Sequence, residues 1–101
     1  MIIRVERSGG FTGIGLKAVI DTQQLEPQEG QELIDLVESS EFFETELSPN
    51  PNQAGADRFH YSITIEHGQQ RRTVELGEGD IPEDWQMLVQ RINMLARRFR
   101  G

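Results

Sequence analysis

From Arg58 to His67 the chain alternates without a break. Phe59, Tyr61, Ile63 and Ile65 fall on one side of an extended backbone, and His60, Ser62, Thr64 and Glu66 on the other. A period of two marks a strand with one face in a core and one in water. Such a strand needs neighbours for its backbone and apolar material beneath it. Two further runs near the start repeat the pattern: Ile3 and Val5 against Arg4 and Glu6, then Leu16, Ala18 and Ile20 on one side of residues 16–20. After a turn at His67-Gly68-Gln69 the chain returns from Arg71 to Leu76 with Val74 and Leu76 inward. These runs predict two antiparallel hairpins.

Two stretches carry a helical period instead. The spacing predicts a helix from about Leu25 to Ser39, with Leu33, Leu36 and Val37 on its apolar stripe and Ile34 widening it. Pro27 suits the first turn, and Glu26 and Glu29 complement the dipole there. Phe42-Phe43 then closes this helix onto the sheet. Glu44 to Asp57, with Pro49, Pro51 and Gly55, has no apolar period and reads as a surface loop, long for a compact domain. After Gly77-Glu78-Gly79, Asp80 stands three residues before Glu83, a capping-box-like spacing with Pro82 in the first turn. The helix expected from there to about Phe99 has the stripe Trp85, Leu88, Ile92, Leu95 and Phe99, with Val89 and Met94 beside it. The order ββαββα predicts an α+β fold, a four-stranded antiparallel sheet with both helices on one face. The other face would carry Arg4, Glu6, Lys17, His60, Ser62, Thr64, Arg71 and Thr73. At 101 residues the chain fits one domain spanning residues 1–101.

Charge and residue usage exclude several functions. The net charge is −7, and from Asp21 to Asp57 there are ten acids and no Lys or Arg. That balance argues against nucleic acid, whose binding rests on neutralised phosphates. Arg91, Arg97, Arg98 and Arg100 are placed as a helix C-terminus favours. With no cysteine there is neither a disulfide nor a thiol nucleophile. No charged leader followed by an apolar run is visible, and no stretch of eighteen apolar residues exists, so the expectation is a cytoplasmic protein without a membrane partner. No G-x-S-x-G elbow is present, and no histidine lies close to Ser8 in sequence to activate it. His60 and His67 stand about 20 Å or more apart along a strand, too far to share a metal. The acidic run lacks the D-x-D-x-D-G calcium loop. The expectation is a non-enzyme with no metal and no cofactor.

What remains is the stretch Arg7-Ser8-Gly9-Gly10-Phe11-Thr12-Gly13-Ile14-Gly15 between the first two strands. Four glycines in nine residues allow positive φ and close approach, yet Phe11 and Ile14 are large and apolar. A polar Asn-Gly or Asp-Gly turn would be the ordinary choice for a hairpin. The glycines match neither G-x-G-x-x-G nor a phosphate loop, and the stretch opens no helix that would hold an anion. Two readings stay open. Phe11 and Ile14 fold back into the core, or they are anchors for pockets on a partner.

Ile3-Arg4-Val5-Glu6-Arg7-Ser8-Gly9-Gly10-Phe11 with Gly13-Ile14, followed by Ala56-Asp57-Arg58-Phe59 with Tyr61 and Ile63, resembles the emfourin family over nearly the whole chain. Arg-Ser-Gly-Gly-Phe is the most specific part. The chain departs from the family around Gly15 to Ala18 and over Glu44 to Gln53. The resemblance implies an inhibitor of thermolysin-like (M4, protealysin-type) zinc metallopeptidases, with no catalysis and no cofactor of its own. It is expected to be a monomer when free. Arg7, Ser8, Gly9, Gly10, Phe11, Thr12, Gly13 and Ile14 are the candidate contacts with the target, flanked by Asp57 and Arg58; the alternative for Arg7 and Arg58 is that they are ordinary surface residues or pair with Asp57 to brace the fold. Residues 8–15 contain no Cys, His, Asp or Glu, so obstruction of the cleft is the expected mode rather than ligation of the target's zinc. The alternative is a non-inhibitory interaction module that uses its open sheet face.

Overall fold

The computed structural model describes residues 1–9, 15–46 and 59–99. Among these residues four strands form one antiparallel sheet: β1 (Ile2–Gly9), β2 (Leu16–Asp21), β3 (Phe59–His67) and β4 (Gln70–Gly77). Their order across the sheet is β2-β1-β3-β4. The two hairpins are thus joined side by side through β1 and β3. Two helices, α1 (Pro27–Ser39) and α2 (Gln86–Phe99), complete the expected ββαββα order.

The strand periodicity holds to the residue. Ile3, Val5, Leu16, Ala18, Ile20, Tyr61, Ile63, Ile65, Val74 and Leu76 are buried against the helices. Leu33 and Val37 from α1, and Leu88, Val89, Ile92, Leu95 and Ala96 from α2, close the core from the other side. Met94, expected beside the α2 stripe, is about half exposed instead. Phe42 is fully buried and stacks on Trp85, which places the turn after α1 under the start of α2. Among the described residues no helix is long and apolar enough to cross a membrane.

The element ends differ from the sequence expectations in three places. α1 begins at Pro27, not Leu25, because residues 22–24 form a 3-10 turn in which the Gln23 N–H donates to the Asp21 carboxylate and whose end is buried Leu25. Asp80 caps no helix. It ends one 3-10 turn, Pro82 opens a second over Glu83–Trp85, and α2 starts only at Gln86. Pro82 fits that opening position because no N–H is needed there. β1 runs two residues beyond Arg7, to Gly9, because β3 continues the ladder after β2 has ended.

Charges spaced along the chain meet in space. α1 and α2 run antiparallel, joined by ion pairs from Arg91 to Glu32 at 3.0 Å and from Arg98 to Glu29 at 3.1 Å. Arg98 reaches both carboxylate oxygens of Glu29. Arg91 and Arg98 of the last helix therefore serve acids of the first, beyond any effect on their own helix dipole.

Candidate functional site

The site follows from the register of β1. Arg7 lies opposite Leu16 on β2 and opposite Tyr61 on β3. Beyond that point only β3 continues the pairing, with Ser8 opposite His60 and Gly9 opposite Phe59. Gly9, the end of β1, has φ +99°, a backbone region that glycine enters without a Cβ penalty. On the return side a Cβ at Gly15 would stand 3.2 Å from the Arg7 carbonyl oxygen, which ties the two rims of the hairpin closely together. Phe59 is the residue after Arg58, and Gly9 the residue before Gly10. The residues that precede Gly10 and follow Arg58 thus share one rung, Gly9 opposite Phe59, at the same sheet end.

The two faces of this end differ. The open face carries a shallow groove of about 430 Å³ lined by Glu6, Ser8, Lys17, His60, Ser62 and Glu75, with Arg7, Gly15 and Leu16 at its edge. Lys17 pairs across the strands with Glu6 at 3.1 Å, and the His60 imidazole stands 3.8 Å from the Glu75 carboxylate, an ion pair only when the ring is protonated. Further along, Arg4 and Arg71 both bond to Glu66, and Thr64 meets Thr73 at 2.8 Å. Val19 is the exception, an exposed apolar side chain on an otherwise polar face.

The helix-bearing face is braced by contacts the sequence reading missed. Arg7 shares strand parity with Ile3 and Val5 and is half-buried, its guanidinium 4.6 Å from the centre of the Phe59 ring. Its Nε is shielded from solvent and has no hydrogen-bond partner among the described residues. The candidate contact Arg7 thus lies against Phe59 at the sheet end. One more step of the Ile3–Val5 alternation already points it inward. The Asn93 side-chain amide donates to the buried Tyr61 hydroxyl at 3.1 Å, and the Phe59 N–H donates to the Glu78 carboxylate at 3.4 Å. A buried tyrosine predicts a partner for its hydroxyl, though not which residue supplies it.

Of the expected contact residues, Arg7, Ser8 and Gly9 are strand residues at the sheet end. Gly10, Phe11, Thr12, Gly13 and Ile14, together with Asp57 and Arg58, lie outside the described residues. Ser8 is exposed and lies opposite exposed His60. His60 and His67 sit at opposite ends of β3. Among the described residues no group of three or more His, Cys, Asp or Glu is placed to hold a metal ion.

The family model described as Emfourin matches residues 5–93. The chain belongs to the emfourin family. No curated protein and no solved structure matches it. The emfourin match starts in β1, passes through the glycine-rich segment and ends at Asn93, the residue bonded to Tyr61. It thus takes in every brace just described at the sheet end: Arg7, Phe59, Tyr61, Glu78 and Asn93.

Proposed function

We propose that this chain is a protein inhibitor of a thermolysin-like zinc metallopeptidase and that it obstructs the active-site cleft with the sheet end that bears the glycine-rich segment. The observation that carries the reading is membership of the emfourin family, whose known role is inhibition of M4 metallopeptidases. The physical chemistry of the segment supports obstruction. Residues 8–15 offer no strong zinc ligand, whereas Phe11 and Ile14 are the kind of bulky apolar groups that fill a pocket beside a scissile bond.

The segment does not act alone. Burial of one phenylalanine contributes about 1.5–3 kcal/mol, whereas nanomolar binding requires about 12 kcal/mol. A standard interface of roughly 800 Å² per partner has to recruit neighbouring surface. Asp57 and Arg58 are in position by sequence to extend it, because they immediately precede the rung at Phe59. Ser8 and the groove beside it extend it on the open face.

Inhibition of a purified thermolysin-like peptidase by the intact chain and by Phe11→Ala tests the reading. The substitution is expected to weaken inhibition about tenfold or more, as the loss of roughly 1.5–3 kcal/mol of apolar burial demands. Unchanged inhibition by a folded Phe11→Ala variant would move the contact elsewhere. An inhibitor of this kind also has to survive its target. Mass spectrometry after incubation with the peptidase is expected to show an intact chain, and rapid cleavage within Ser8–Gly15 would contradict cleft obstruction by this segment.

A further inference from the structure

We propose that Arg7 is a positioning residue rather than a contact with the target. Its guanidinium, seated on the Phe59 ring, locks together the two strand ends from which the glycine-rich and acidic segments depart. The proposal rests on the inhibitor reading above and names what prepares that surface.

Arg7 stands opposite Tyr61, and Phe59 lies two residues from Tyr61 on the same strand face. Phe59 is therefore the diagonal cross-strand neighbour of Arg7, within reach of a long side chain. The 4.6 Å from the guanidinium carbon to the ring centre is well inside cation–π range. The Arg7 Nε is shielded and has no acceptor among the described residues, and the Phe59 ring face is the contact its guanidinium makes there.

Phe59 in turn is held from two other directions. Its N–H bonds to Glu78, which follows β4, and Tyr61 beside it bonds through its hydroxyl to Asn93 of α2. Arg7 adds the missing tie, from β1 to this fixed point. It acts two residues before Gly9, the end of β1, which has a positive φ. Fixing that strand end before the target arrives lowers the ordering cost of association, which is how preorganisation raises affinity.

The test pairs two readouts on Arg7→Gln, Arg7→Lys, Phe59→Leu and the Arg7→Gln/Phe59→Leu double variant. One is amide hydrogen exchange of Ser8, Gly9, Phe59 and His60 in the free protein. The other is the inhibition constant against a purified thermolysin-like peptidase. Arg7→Gln is expected to speed exchange at these amides and weaken inhibition, each by about tenfold, the effect of losing one well-shielded cation–π contact. Arg7→Lys restores most of both, because a cation stays over the ring. Phe59→Leu matches Arg7→Gln, and the double variant is no worse than either single one, since both remove the same interaction. Weakened inhibition with unchanged exchange, or losses that add in the double variant, would make Arg7 a direct contact and overturn the proposal. Exchange needs no peptidase. A failure of the inhibitor reading would show as no inhibition by the unsubstituted chain, while the exchange data would still decide whether the Arg7–Phe59 lock exists.

Discussion

Trp85 shows what a single residue contributes. Its indole stacks on Phe42 with ring centres 5.0 Å apart, and its Nε1–H donates to the Ser40 carbonyl at 2.8 Å. The same turn is gripped from the sheet by Arg72, which donates to the carbonyls of Phe42 at 2.9 Å and Thr45 at 2.6 Å. Buried carbonyls left without donors cost free energy, so these side chains hold the turn after α1 in place. Trp85→Phe keeps an aromatic ring but removes the donor and part of the volume. It is expected to destabilise by about 1–3 kcal/mol, seen as a lower urea midpoint with an unchanged slope. Helical periodicity identifies Trp85 as a core residue. Its partner was not legible, because Ser40 lies 45 positions away and a lone serine carries no signal of what its carbonyl accepts. Arg7 is the converse case, since its parity with Ile3 and Val5 is written in the alternation, whereas its ring partner Phe59, on another strand, is not.

At the scale of elements, α1 is positioned by a close approach and by its ion pairs with α2. A Cβ at Gly30 would stand 2.8 Å from the backbone carbonyl oxygen of Thr22, so the helix seats on the preceding turn only because that position has no side chain. Alanine would favour an exposed helix by about 1 kcal/mol over glycine. Here the clash with backbone outweighs that gain. Gly30→Ala is expected to lower the thermal midpoint in calorimetry, and a raised midpoint would contradict this packing. The Arg98 guanidinium, hydrogen-bonded to Glu29, is the main cause holding the Glu29 carboxyl below its ordinary value of 4.5. A carboxyl depressed in the folded state stabilises the fold above its unfolded pKa, and the contribution is lost as pH falls through the folded value. The stabilisation from this pair is thus complete above about pH 4.5 and fades below it. Arg98→Gln should flatten that acid limb in a denaturation series across pH while leaving the core intact. An identical pH profile in the variant would show that the pair contributes nothing. Neither feature was legible in full. Glu29 and Arg98 read separately as dipole partners of their own helices, because sequence spacing is blind to which helices will lie side by side.

Across the whole molecule, alternation and helical period sufficed for the sheet, the helices and their shared face. Strand order was not contained in them, and it is strand order that makes the site. Because β1 is central and pairs with β3 through Gly9 and Phe59, two segments far apart in sequence are rooted at one end of the sheet. The glycine-rich stretch was conspicuous in the sequence for its composition, and the braces beneath it were not, since Arg7, Phe59, Tyr61, Glu78 and Asn93 share no local pattern. The open face pairs charges across its own strands, at that sheet end as well as farther along. The most direct measurement is a titration of a purified thermolysin-like metallopeptidase with the intact chain, followed by cleavage of a short peptide substrate. Loss of activity that saturates near one inhibitor per enzyme, and that recovers on dilution with the chain uncut, is the predicted result. Full activity in the presence of excess folded chain, repeated across several such peptidases, would contradict the account.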